Sequence, residues 1–242
     1  MTDFRLNPSL DPARLATIYA REGRVRIEGL LEEEAVAELR EHLDRHDQWW
    51  HLICTAGGIE EIDRRARTRM GARRFAALES EVHLAARRGF TYRYEALRVP
   101  DEEEDLESGG DPLTAFAVLM SSEPMLAMLR RITGCTNLAF TDGQATAYGH
   151  GDFLTCHDDD VAGKNRLAAY VFGMTPGWRP EWGGLLLFHA DDDRSVTGHV
   201  PLYNCLDLFA VPQRHSVSVV TPAAPHRRFA VTGWLRSGTG EH

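Results

Sequence analysis

Residues 151–163 read GDFLTCHDDDVAG, a histidine followed directly by three aspartates at the end of an apolar run. Imidazole nitrogen and carboxylate oxygen together suit a ferrous ion. Side chains at i and i+2 of a strand share a face. If FLTCHDD continues as a strand, His157 and Asp159 aim at one point, Asp158 points away and Asp160 begins the loop. One imidazole and one carboxylate are two-thirds of a facial triad, which leaves metal positions open for small molecules. The third donor must come from elsewhere in the chain, and a second histidine is expected. His215, opening the alternating stretch in VPQRHSVSVV, is preferred, because a distant ligand is best held on a rigid strand. His226, in the loop APHRR, comes second, and His189 and His199 also compete. FHADDD repeats the His-x-Asp spacing with His189 and Asp191, but it follows GGLLLF and reads as a polar hairpin turn.

A further residue extends the constellation. If RRFAVTGWL is a strand, Arg228, Ala230 and Thr232 share one face, and Arg227 and Phe229 the other. An arginine facing a core is costly without an anion. Its guanidinium matches a carboxylate through two parallel charge-assisted bonds. An inward Arg228 beside an open iron site would therefore suit a dicarboxylate.

These side chains need a scaffold. After residue 136 short apolar runs alternate with turns: LAFTDGQATAY, FLTCH, RLAAYVFGM, GGLLLFH, TGHVPLY, LDLFAV, SVSVVT and RRFAVTGWL. Such spacing indicates an all-β sandwich or barrel. A jelly roll, two four-stranded sheets closing over one cavity, fits the count. The first 135 residues read mainly as helices. LDPARLATIYARE and EEEAVAELREHL carry apolar residues at helical spacing. SSEPMLAMLRRITG runs from Ser122 as N-cap to Gly134 as terminator. RVRIEGLL alternates as a short strand. The fold expected is mainly β, a jelly-roll core over 136–242 with a helical N-terminal support over 1–135, in one integrated domain. PDEEEDLESGGDP, residues 100–112, is expected to be a solvated loop.

Composition narrows the setting. The 242 residues carry a net charge of -9, which argues against nucleic acid as the main partner. No apolar run approaches the roughly 18 residues that span a membrane, and MTDFRLNPSLDPARL lacks the apolar stretch of a secretory signal. Four scattered cysteines, at 54, 135, 156 and 205, fit a reducing compartment. A cytoplasmic protein is expected.

Taken in order, Y..GDFLTCHDD, GGLLLF, P.YN.LDLFAV, HSVSVV and RRFAVTGW resemble the prolyl-hydroxylase branch of the iron(II)/2-oxoglutarate oxygenases. More narrowly, the set is similar to predicted proline hydroxylases related to the ribosomal-protein prolyl hydroxylases. The resemblance covers about residues 136–236 and implies a double-stranded β-helix. It implies that His157, Asp159 and His215 bind Fe(II). It also implies that Arg228 pairs with the distal carboxylate of 2-oxoglutarate, with the Tyr148 hydroxyl helping. Asn204 matches a polar residue near that cosubstrate. One departure stands out: many members place a serine two residues after the arginine, and here that position is Ala230.

The activity implied is O2-dependent hydroxylation of an aliphatic carbon, with release of succinate and CO2. The implied substrate is a prolyl residue in a peptide or protein. A free amino acid or small metabolite is the alternative substrate. A catalytically silent β-sandwich binding module and a cupin-like metalloenzyme that ignores 2-oxoglutarate are the readings from other classes. Six arginines within 64–74 could meet an acidic partner or form a solvated helix face. Trp178 and Trp182, in TPGWRPEWGG, could face a substrate or pack beneath a connection.

Overall fold

A computed structural model describes residues 2–99 and 110–238. Most of the expected loop at 100–112 lies outside the described residues. Six helices and a twelve-stranded antiparallel sheet are described. Strands β5 (Leu138–Tyr148), β6 (Phe153–His157), β7 (Arg166–Met174), β8 (Leu186–His189), β9 (Val196–His199), β10 (Tyr203–Ala210), β11 (His215–Val217) and β12 (Arg228–Ser237) answer the eight apolar runs. They pair as β10-β7-β12-β5 and as β6-β11-β8-β9. Apart from the β8–β9 hairpin, sequence neighbours fall into different rows, the interleaving that a jelly roll requires.

The two faces of the first row divide by strand alternation. Ala168, Phe172 and Met174 of β7 and Phe229, Val231 and Leu235 of β12 join the main apolar core on the outer face. That face is covered by α1 (Pro12–Glu22), α2 (Glu33–Arg45), α5 (Pro112–Met120) and α6 (Glu123–Thr133). Asp11 caps α1 by accepting bonds from the Ala13 and Arg14 amides, and Gly23 ends it in the left-handed region. The opposite face, with Ala169 and Val171 of β7 and Arg228 and Thr232 of β12, lines a cavity between the rows.

The region before residue 136 contributes more strand than expected. β1 (Arg24–Glu28) extends the first row beside β10, and β2 (Trp50–Thr55) and β3 (Gly58–Asp63) form a hairpin. β4 (Tyr92–Arg98) joins the two rows, pairing with β5 through Glu95–Arg98 and with β6 through Tyr92 and Arg93. Its tyrosines alternate with Arg93 and Glu95, a charged face that is nevertheless buried. Arg93 bonds Asp152 at 2.8 Å and Glu79 at 2.7 Å. Arg64, Arg67 and Arg227 converge on buried Glu95 at 3.2, 3.2 and 3.4 Å. Two of the six arginines within 64–74 thus tie α3 (Arg64–Arg69) to the sheet, while Arg65, Arg69, Arg73 and Arg74 are exposed. α4 (Ala72–Ala86) packs Leu78 and Val82 against Ile53 and Phe153.

Candidate metal and dicarboxylate site

β6 and β11 are antiparallel neighbours, and their register sets His215 directly opposite His157. The rings lie 4.1 Å apart between centroids. The His157 Nδ1–H donates to the Thr155 carbonyl at 3.1 Å, and the His215 Nδ1–H to the Gln213 carbonyl at 2.7 Å. Each bond fixes the tautomer that leaves Nε2 free to coordinate.

Asp159 reaches the same point by a route the sequence did not indicate. β6 stops at His157, and Asp159 has φ +65°, so its carboxylate arrives through a left-handed turn and not by strand alternation. Its two oxygens lie 3.5 Å from His157 Nε2 and 3.4 Å from His215 Nε2. The three residues offer donor atoms within 4.8 Å of one another, the only such group found among the described residues. Burial pushes the His215 imidazole down to about 4, and the neighbouring His157 adds to this, so the ring is neutral at pH 7. Burial alone would raise the Asp159 carboxyl. The hydrogen bond to His157 and the flanking imidazoles outweigh it and hold the group below its ordinary range. Two imidazoles and one carboxylate on one side of a point form an open donor set for a divalent ion. Asp158 is exposed and accepts from the Asp160 amide, which opens the loop.

The remaining histidines are engaged elsewhere. His226 packs at right angles to Trp182 and tilted against Trp178, and neither tryptophan lines the cavity. Trp178 is buried and donates from Nε1 to the Gly183 carbonyl, so the pair packs beneath a connection. His189 bonds the Ser216 hydroxyl, and the HADDD segment is the turn of the β8–β9 hairpin. His199 bonds Asp207 at 2.8 Å, which also takes two bonds from Arg26.

Arg228 stands on the inward face of β12 in a cavity of about 420 Å³ that also holds the three donors. It is 4% exposed, forms no ion pair among the described residues, and its Nε has no hydrogen-bond partner. Burial pushes its pKa down, the sign of a cation short of a counter-charge. Tyr148 faces it directly across the β12–β5 ladder, its ring centre 5.1 Å from the guanidinium. Gly184, at φ +62°, makes room: a Cβ there would lie 3.2 Å from Cδ of Arg228. The GG of the apolar motif thus admits the arginine.

Asn204 requires a correction. It was expected near the cosubstrate, but it does not line the cavity. An irregularity between Tyr203 and Cys205 places it at φ +51°. From there its amide donates to the Leu31 carbonyl at 2.7 Å and accepts from the Leu31 amide at 3.0 Å. It ties the connection between β1 and α2 to the sheet.

Several cavity residues were not anticipated. Tyr92 and Tyr94 of β4, with Phe90 ahead of them, form a run of rings that continues into Tyr148, with centroids 5.2–5.6 Å apart. Their period-two spacing in FTYRY was the available signal. Gln144 and Thr146 share the Tyr148 face of β5. Arg166 lies 3.5 Å from the Trp234 ring centre and donates to the Asp159 carbonyl at 3.1 Å.

Residues 143–236, which span this cavity, match the sequence model of the 2OG-Fe(II) oxygenase superfamily. The chain is similar to that superfamily over the stretch that carries every residue of the donor set. The superfamily's description names Fe(II) and 2-oxoglutarate, and the donor set and unpaired guanidinium fit the two. The chain is similar to "Prolyl 3-hydroxylase OGFOD1" of Mus musculus, 26% identical over 60% of this chain. It is 33% identical to the protein of that name from Xenopus laevis over 44% of this chain. It spans only 28% and 22% of those relatives' lengths. The crystal structure of a Pseudomonas putida prolyl-4-hydroxylase shares the fold, with a TM-score of 0.59 and 17% identity over 95% of this chain and all of that one. The double-stranded β-helix expected from sequence is the fold observed.

Proposed function

We propose that this chain is an Fe(II)- and 2-oxoglutarate-dependent dioxygenase that hydroxylates an aliphatic carbon of a prolyl residue in a peptide or protein. The observation that carries the reading is one cavity holding an open His-Asp-His donor set and a buried guanidinium with no carboxylate of its own. His157, Asp159 and His215 are assigned as iron ligands, and Arg228 with Tyr148 as the grip on the distal carboxylate of 2-oxoglutarate. When bound, iron would let O2 oxidise both 2-oxoglutarate, to succinate and CO2, and the target C–H bond, to an alcohol, with one oxygen atom going to each.

The chain's own residues have three tasks in this scheme. The backbone carbonyls of Thr155 and Gln213 keep both Nε2 lone pairs turned inward. Arg228 supplies the counter-charge that orients a diacid, and in a low-dielectric cavity that attraction is strong. Leu154, Leu186, Phe209 and Val217 wall the cavity and exclude water. Phe90, 53% exposed, and Tyr92 offer apolar ring surface leading inward, suited to a pyrrolidine ring. The names of the relatives support prolyl residues as targets.

No single described helix is long and apolar enough to cross a membrane, and the four cysteines are free thiols. A cytoplasmic location belongs to the same proposal, supported by those thiols.

The test is a succinate-release assay with Fe(II), 2-oxoglutarate and proline-containing peptides, with peptide masses read for one added oxygen. Hydroxylated proline is the expected product. A protein that binds iron yet releases no succinate with any peptide, or without one, overturns the proposal.

A further inference from the structure

We propose that Thr146 is a cosubstrate-binding residue whose hydroxyl, across the strand ladder, replaces one that Ala230 cannot supply. This rests on reading the cavity as a 2-oxoglutarate site.

The argument begins with register. Arg228 is paired with Tyr148 and Ala230 with Thr146 on the adjacent strands β12 and β5. Residues two apart share a face, so Arg228, Ala230, Tyr148 and Thr146 form a square of inward positions. A carboxylate has more lone pairs than one guanidinium and one phenol satisfy. A further hydroxyl beside Arg228 would complete its shell, and position 230 is the next inward place on the arginine's own strand. Alanine there ends at Cβ.

Thr146 fills that corner. It is 2% exposed and lines the same cavity as Arg228 and Tyr148. Its Oγ1 lies 3.3 Å from the Ala230 carbonyl oxygen, so the hydroxyl already stands over the alanine. A bond of that length is a weak anchor, and a hydroxyl rotates freely enough to redirect its proton toward an entering anion. A buried hydroxyl with one long bond and a cavity before it is placed to donate to a carboxylate.

The experiment measures binding without turnover, by calorimetric titration of 2-oxoglutarate into the whole chain loaded with Mn(II). Thr146→Val removes the hydroxyl and keeps the shape. It is expected to raise the Kd for 2-oxoglutarate about ten-fold, the scale of one hydrogen bond to a charged group. Oxalate reaches the metal but has no distal carboxylate, so its Kd is expected to be unchanged. Adding Ala230→Ser to Thr146→Val is expected to restore most of the loss, and to tighten binding less in the native background. Thr146→Ser, which keeps the hydroxyl and spares the fold, is expected to stay within about two-fold of the native Kd.

Unchanged 2-oxoglutarate affinity in Thr146→Val overturns the proposal. So does an equal loss for oxalate, or an Ala230→Ser effect of the same size in both backgrounds. Failure of the native, Mn(II)-loaded chain to bind 2-oxoglutarate at all would instead overturn the cosubstrate reading beneath it.

Discussion

His157 and His215 are 58 positions apart in the chain and face each other directly across the β6–β11 ladder, each with Nδ1 bonded to the backbone carbonyl two residues upstream. The repeated bond gives both rings the same tautomer and presents two Nε2 atoms to the Asp159 carboxylate. Backbone pairing sets this arrangement, so it precedes metal binding.

Replacement of His157, Asp159 or His215 by alanine is expected to abolish Fe(II) binding and succinate formation. Asp158→Ala and His226→Ala are expected to retain the metal, because one is exposed and the other packs against tryptophans. Metal content after desalting, measured on each purified variant, checks the assignment. Loss of iron from His226→Ala with iron kept by His215→Ala would reassign the third ligand.

Arg228 gives a prediction in which affinity and stability move apart. Its buried guanidinium lacks a counter-charge in the cavity. Arg228→Met is expected to weaken 2-oxoglutarate binding more than a hundred-fold, on the order of 3 kcal/mol. The same change is expected to raise unfolding free energy in the absence of cosubstrate by about 1–2 kcal/mol, through removal of a costly buried charge. Urea unfolding beside a ligand titration reads both. A fall in stability would mean that the arginine has a structural partner.

Acid is expected to weaken the metal-free protein in two stages. His215 is held at about 4 in the fold against an ordinary 6.5. Between those values the unfolded chain binds a proton that the folded chain does not, so stability falls as pH drops from about 6.5 to about 4. The loss is up to about 3 kcal/mol. Asp152 and Asp207 add a later loss. Burial alone would raise both. For Asp152 the bonds from His51 and Arg93 prevail, for Asp207 those from His199 and Arg26, and each carboxyl is held low. Their stabilisation is present at neutral pH and disappears as pH falls through their depressed values. His215→Gln is expected to flatten the first stage and leave the second, as followed by urea midpoints across pH.

Asn204→Leu is expected to cost about 2–4 kcal/mol of stability, because the Leu31 amide and carbonyl both lose a buried partner. The KM for 2-oxoglutarate is expected to be unchanged, since the side chain lies outside the cavity. A rise in KM without loss of stability would return Asn204 to the site.

The sequence by itself determined the strand plan and a short set of candidate donor residues. Imidazole, carboxylate and guanidinium are the side chains such chemistry needs, and period-two alternation marks their strands wherever one face is apolar. Eight strands after residue 136 were legible on that ground, and His157, Asp159, His215 and Arg228 stood out as candidates, with Tyr148 added only by the resemblance. β4 and the tyrosines it brings to the cavity were missed although FTYRY alternates, because so short a run carries little weight and only strand pairing shows that Arg93 and Glu95 are buried. Tertiary structure alone decided that β4 bridges the two rows and that Asp159 arrives through a left-handed turn. It also decided that Asn204 turns toward Leu31, and that Thr146 stands over Ala230. Each depends on register or backbone handedness, and those are fixed by pairing between distant segments rather than by local residue preference.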